Sequence, residues 1–288
     1  MKQLLAFLVL LVMIFSVGCN SSPAESNSAK NKQEPLQTAE NEKANQSTDA
    51  PTSSPISDFE YAIDQSKYAV IKKYIGSSKN VVIPNEIDGY PVRGIGIGAF
   101  EENALIEEVV IPDSVEMILN YAFHNCTSLK SVKFGKNVED IFIGAFLGCV
   151  SLEEVILPEN MKRIDSRAFW ECTSIKKLFI NKNIEYIGDA FTNSPIKELI
   201  IEDGVKSLGC YASFWGAELT EVVIPESVEW VREYSFNEKL EKVTFLGDAP
   251  EKVDDYPFGI GDVTIFYPKD SKGWDTTPLK DTYTLVAY

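Results

Sequence analysis

Histidine occurs once in this chain of 288 residues, methionine four times and cysteine five, so the side chains that build zinc sites and nucleophile–base pairs are scarce. The single His124 directly follows Phe123, with no serine or cysteine nucleophile fixed beside it by pattern. It reads as a surface residue rather than a general base. Basic residues are also few, 27 Lys and Arg against 43 Asp and Glu, for a net charge of −16. A phosphate backbone demands the opposite balance, which excludes nucleic acid as a partner; the charge is read instead as the solubility of an exported protein. No glycine-rich phosphate loop and no calcium loop is present. No carboxylate pair can be assigned to a cleft, as a glycosidase requires. The expectation is a protein that is not an enzyme and carries no cofactor or metal.

Long apolar runs are lacking as well, except for Leu4–Phe15 behind Met1-Lys2. That run is too short for a membrane-spanning helix, which needs roughly 20 residues. It leads to Ser16-Val17-Gly18-Cys19, the layout of a signal peptide. The small residues before Cys19 resemble a bacterial lipoprotein lipobox. That resemblance implies a lipidated Cys19 as the mature N-terminus and a membrane anchor, although Ser16 stands where leucine is most frequent. Ordinary signal cleavage, with Cys19 a bystander, is the other reading. No retention aspartate follows Cys19, so in a two-membrane cell the same resemblance points to the outer membrane. Residues 20–57 are polar, with five acids, three bases and few apolar residues besides Leu36 and Ile56. They cannot form a core and read as a disordered tether.

What the chain has in abundance is repetition. Glu108–Lys130, Ser131–Glu153, Glu154–Lys176, Lys177–Lys197, Glu198–Thr220 and Glu221–Glu241 are six copies of one pattern with a period of 23 residues, trimmed to 21 in the fourth and sixth. A fixed period of this size indicates a solenoid. Val109, Val132, Val155, Leu178, Leu199 and Val222 form one apolar column, and Ile111, Phe134, Leu157, Ile180, Ile201 and Ile224 a second, two residues on. That is strand spacing. Pro112, Pro158 and Pro225, then Ser114, Asn137, Asn160, Asn183, Gly204 and Ser227, stop the strand at a bend. Phe123, Phe146, Phe169, Phe191, Phe214 and Phe236 make an aromatic column, usually after alanine, in a segment that suits one or two helical turns. A single coil has one apolar face and nothing to cover it, so the copies must stack.

Residues 58–107 are read as an N-terminal cap and first coil. Phe59–Ile63 and Tyr68–Ile71 alternate as two strands, Val81-Val82-Ile83 is the first rung, and Asp88-Gly89 a tight turn. Residues 242–288 hold the rungs Val243–Phe245 and Val263–Pro268 and a tail with Trp274, Leu279 and Leu285 that folds over the open end. The in-phase recurrence of Ile-Pro, Ala-Phe and Cys-x-Ser-Leu elements, as in Gly144-Ala145-Phe146 leading to Cys149-Val150-Ser151-Leu152, resembles the BspA-like class of bacterial leucine-rich repeats over roughly Phe59 to Trp274. The resemblance implies a β-rich α/β fold: a right-handed solenoid with a parallel ladder on its concave side, found on cell-surface proteins that attach to host proteins, other cells or polymers. It implies no single ligand and no catalytic residues.

Cys126, Cys149 and Cys172 share one column, with neighbours about 4.8 Å apart. Side chains in a ladder point the same way, whereas a disulfide needs convergent Cβ vectors; a zinc site wants a fourth ligand, and Cys210 sits elsewhere in its copy. A buried column of thiols beneath the phenylalanines is expected. Strand alternation turns Val110, Lys133, Ile156, Phe179, Ile200, Val223 and Thr244 outward. Five of the seven are apolar, and they draw a strip roughly 30 Å long, flanked by charges, as protein-binding surfaces are. β-branched residues packing against one another in a sheet would give the same pattern. A second candidate is the row His124, Leu147, Trp170, Thr192 and Trp215 behind the phenylalanines, where the tryptophans serve either contact or packing. The sequence thus predicts a lipid-anchored surface module that binds a protein or cell-surface polymer. The alternative is a structural envelope protein that associates with itself.

Overall fold

In a computed structural model of the chain, residues 52–209 and 212–288 are described. The segment 1–19 expected to be a signal peptide, with Cys19, most of the expected tether 20–57, and Cys210 lie outside the described residues. Each repeat makes one coil with three sides. The first side is the expected strand: Glu108–Val110, Ser131–Lys133, Lys177–Ile180, Glu198–Ile201, Glu221–Ile224 and Lys242–Phe245. They pair in parallel and in register within three short sheets, Val109 beside Val132, Phe179 beside Ile200 and Val223 beside Thr244, and among the described residues no strand pairing joins Glu198–Ile201 to Glu221–Ile224. In the third repeat the strand is reduced to bridges at Glu154 and Val155. Alternation buries Leu178 and Ile180, or Val222 and Ile224, and leaves the residue between them outside.

The second side holds two residues per coil, among them Met117–Ile118, Asp140–Ile141, Arg163–Ile164 and Tyr186–Ile187, again in a parallel ladder. The corner between the two sides is a tight turn in which Val115, Val138 and Met161 donate to the carbonyls of Pro112, Gly135 and Pro158. Its asparagines do more than bend the chain. Asn137, Asn160 and Asn183 each donate through Nδ2 to a carbonyl of the preceding coil, at 2.8, 3.0 and 2.8 Å.

On the third side the expected helical turns are replaced by something else. The N–H groups of Ala122, His124 and Cys126 return to Leu119, Tyr121 and Phe123 within the coil, while those of Tyr121, Phe123 and Asn125 reach Ile143, Ala145 and Leu147 of the next coil. A helix would keep all of them for itself. Left-handed residues also recur here, Tyr121 at φ 58° and Asn125 at φ 56°, then Gly144 at φ 61° and Gly148 at φ 73°, and a right-handed helix does not admit these. The side is therefore a ladder of turns. The only helical pieces among the described residues, Ile56–Asp58 and Pro278–Asp281, are single 3₁₀ turns outside the repeats, so the fold is a solenoid of parallel strands.

Down the middle run the phenylalanines. Phe123, Phe146, Phe169 and Phe191 stack with centroids 5.0, 5.1 and 5.1 Å apart and planes within 3° of parallel, because each ring is fixed to a rung that repeats at nearly the same distance. The column continues to Phe258, and Tyr74 stacks on Phe100 at its start. Tyr74 belongs to the antiparallel hairpin Phe59–Ile63 and Ala69–Tyr74, which pairs with Tyr90–Ile95. Asp88 and Gly89, both at positive φ, make the hairpin turn before that strand. Hydrogen bonding to the coils begins ahead of Asp58, where Ser54 donates its N–H to Val82 and accepts from it. At the far end Thr264–Tyr267 and Thr284–Ala287 add two parallel rungs. Trp274 is buried there, edge-on to Phe245 and stacked on Tyr267 at 4.6 Å, and Leu279 is buried as well.

Candidate partner-binding face

The first ladder presents one row of side chains to solvent per coil. Ile156 is 67% exposed, Phe179 42%, Ile200 39% and Val223 48%, whereas Val110 and Thr244 are half-buried. Pairing in register puts Phe179 against Ile200 and Val110 against Lys133, so the structure brings the residues expected from alternation into one strip. It is also longer than the sequence suggested. Val82 precedes Val110 in register, and Phe266 and then Val286 follow Thr244. Ten rungs at strand spacing span roughly 43 Å. The signal for the extra members was the alternation in Val81-Val82-Ile83 and Ile265-Phe266, which falls in coils outside the regular period.

Charge lines both edges of this strip. Lys177 pairs with Glu198 at 2.7 Å and Lys242 with Glu221 at 3.2 Å where the strands begin, and Lys182 with Glu202 at 3.4 Å where they end. Further up, Glu107 lies between Lys79 and Lys130, at 2.6 and 2.7 Å. Hydrogen bonds from Lys130 and then Lys79 hold its carboxyl down at about 2, and Glu107 in turn raises Lys130.

The tryptophans sit elsewhere, on the turn ladder. Trp215 is exposed, while Trp170 is half-buried, with the Arg167 guanidinium 5.1 Å from its ring and Glu171 accepting from Nε1 at 3.3 Å. Thr192 lies buried between them and donates to the Ala212 carbonyl, so the two indoles do not form one surface with each other or with the strip. His124, in the same row, contacts Glu101 through Nδ1 at 2.8 Å.

Cys126, Cys149 and Cys172 are free thiols, fully buried. Sequence reasoning missed their hydrogen bonds: each Sγ donates to a carbonyl of the preceding coil, at Phe100, Phe123 and Phe146, and Ser194 does the same to Phe169 in the next copy. Burial pushes the Cys126 thiol up to about 12 and raises Cys149 and Cys172 well above the ordinary value, which suppresses thiolate chemistry. Among the described residues no group of three or more His, Cys, Asp or Glu side chains is arranged to hold a metal ion. An open depression of about 220 Å³ lies near the C-terminus between Asp254, Asp255, Tyr256 and Tyr283.

Several known proteins share this architecture. The chain resembles the T. pallidum leucine rich repeat protein TpLRR at 27% identity and a TM-score of 0.54, over 72% of this chain and 86% of that one. It resembles a leucine rich cell surface protein of Faecalibacterium prausnitzii at 20% identity and a TM-score of 0.54, over 76% and 77% of the two chains. A leucine-rich repeat protein of Bacteroides ovatus gives 16% identity and a TM-score of 0.51, over 81% and 76%. These last two show a shared fold alone. Nothing among curated proteins matches. A family model described as the BspA type leucine rich repeat region, with six copies, matches residues 93–216 and 210–259. With more than half of its length matched, and the coil geometry described above, the chain belongs to the BspA-type leucine-rich repeat family.

Proposed function

We propose that this protein is exported and held at the bacterial cell surface by a lipid on Cys19. Residues 20–57 are the tether, and the solenoid from Asp58 onward is a binding module without catalytic activity. In this reading 58–107 form the N-terminal cap and first coil, 108–241 the six repeats, and 242–288 the last rungs and C-terminal cap. The partner is a protein or cell-surface polymer, and the contact is made by Val110, Ile156, Phe179, Ile200 and Val223. The observation that carries this is the run of large apolar side chains left outside a ladder whose inner face is already filled. Monomeric surfaces seldom expose a contiguous apolar band edged by charge without using it. A stacked ladder also loses little conformational freedom on binding. Trp170 and Trp215 fit this role less well, because one is occupied by Arg167 and the two are separated.

The test is retention of the full chain on extracellular-matrix and cell-surface fractions. Phe179→Asp and Ile200→Asp are each expected to weaken retention by roughly ten-fold or more, in the range of interface hot spots, with an unchanged circular dichroism spectrum. Retention equal to that of the unsubstituted chain would remove the strip from the reading, and unfolding of both variants would make it core.

A further inference from the structure

Resting on the reading of the strip as a docking face, we propose that its occupant is an extended basic polypeptide segment. Its apolar side chains would lie on Ile200 and Val223, and its lysines or arginines would reach the acids on the strip's two edges. The charge of the chain is unevenly spread. Residues 108–197 carry twelve acids and ten bases, whereas residues 198–241 carry ten acids and three bases, a net −7 of the −16 total.

In that acidic stretch the chain's own cations are already engaged. Lys206 pairs with Glu229, Lys239 with Glu218, and the Arg232 guanidinium lies 4.2 Å from the Trp230 ring. Lysines from neighbouring coils answer Glu198, Glu202 and Glu221. Asp203, Glu226 and Glu241 are exposed, and none of them takes part in the ion pairs described for the residues around them. Asp203 and Glu226 lie two residues past the ends of the strands that carry Ile200 and Val223, and Glu241 directly precedes the strand that carries Thr244. The apolar band is therefore bordered on both edges by carboxylates that want a cation from outside.

Charge also argues against the other occupants. A second copy would bring −16 against −16 and set these carboxylates beside like charges. An anionic polymer or membrane surface would be repelled for the same reason. A basic segment gains steering over the whole acidic end and an apolar contact once it arrives.

The experiment measures binding of three labelled dodecapeptides, alternating Lys-Val, Lys-Ser and Glu-Val, to the full chain by fluorescence anisotropy at about 50 and about 300 mM salt, the higher of which shortens the screening length about 2.4-fold. The Lys-Val peptide is expected to bind at least ten-fold more tightly than either of the others and to weaken at the higher salt. Asp203→Asn with Glu226→Gln should weaken it roughly five-fold, and Ile200→Ser roughly ten-fold, with unfolding midpoints unchanged. If Glu-Val binds as well as Lys-Val and the charge variant is silent while Ile200→Ser still abolishes binding, the basic partner is wrong and the docking face stands. If Lys-Ser matches Lys-Val and Ile200→Ser is silent, the docking face itself is wrong. Failure of all three peptides to bind, or a dimer of the chain that Ile200→Ser breaks, overturns the proposal.

Discussion

At the scale of single residues, the stability of this protein rests on side chains that every coil repeats. Phe146 is sandwiched between Phe123 and Phe169 at 5.0 and 5.1 Å and fully buried. Phe146→Ala should therefore cost about 3–5 kcal/mol, because the rings above and below are pinned to their own rungs and cannot collapse into the gap; urea unfolding would measure it. Cys149 is a different case. Its thiol serves as a donor to the Phe123 carbonyl, and Ser194 already fills the equivalent place with a hydroxyl 2.8 Å from Phe169. Cys149→Ser should be tolerated within about 1 kcal/mol, whereas Cys149→Ala loses the hydrogen bond and should cost about 1 kcal/mol more. Cys126, Cys149 and Cys172 should also resist alkylation in the native state and react only in denaturant, as site-resolved mass spectrometry of the labelled chain would show. The aromatic column was legible because an identical residue recurs at a fixed place. The donor role of the thiols was not, because a small buried residue looks the same in sequence whether it fills space or makes a bond.

At the scale of elements, the strands and corners follow from spacing and turn chemistry, and the third side does not. Ala-Phe segments have the composition of a short helix, but the N–H of every second residue is claimed by the coil next to it, from Tyr121 to Ile143 and from Phe123 to Ala145. Local propensity was overruled by a neighbour 22 residues away. The same long reach explains Glu107, whose two lysines come from the coils on either side. Its pKa of about 2 lies below the ordinary 4.5. The pairing thus stabilises the fold above about pH 4.5, and that contribution is lost as the pH falls through about 2. Glu107→Gln should lower the urea midpoint near neutral pH and leave it equal to that of the unsubstituted chain near pH 2. A difference that persists in acid would mean that Glu107 acts through packing rather than charge.

At the scale of the whole molecule, stacking turns a weak local pattern into one continuous wall. Each coil contributes a single outward residue, and only the sum of Ile156, Phe179, Ile200 and Val223 makes a surface. The regular part of that wall could be read directly, since phase fixes which residue faces out. Val82, Phe266 and Val286 could not, because their coils depart from the period and only the observed pairing brings them into line. The most direct test of this face is photo-cross-linking on cells that display the protein, with a benzophenone side chain placed at Phe179 on the strip or at Trp215 on the turn ladder. Capture of a partner from position 179 and none from position 215 is the expected result. Capture from position 215 alone would move the binding surface to the turn ladder and contradict the account.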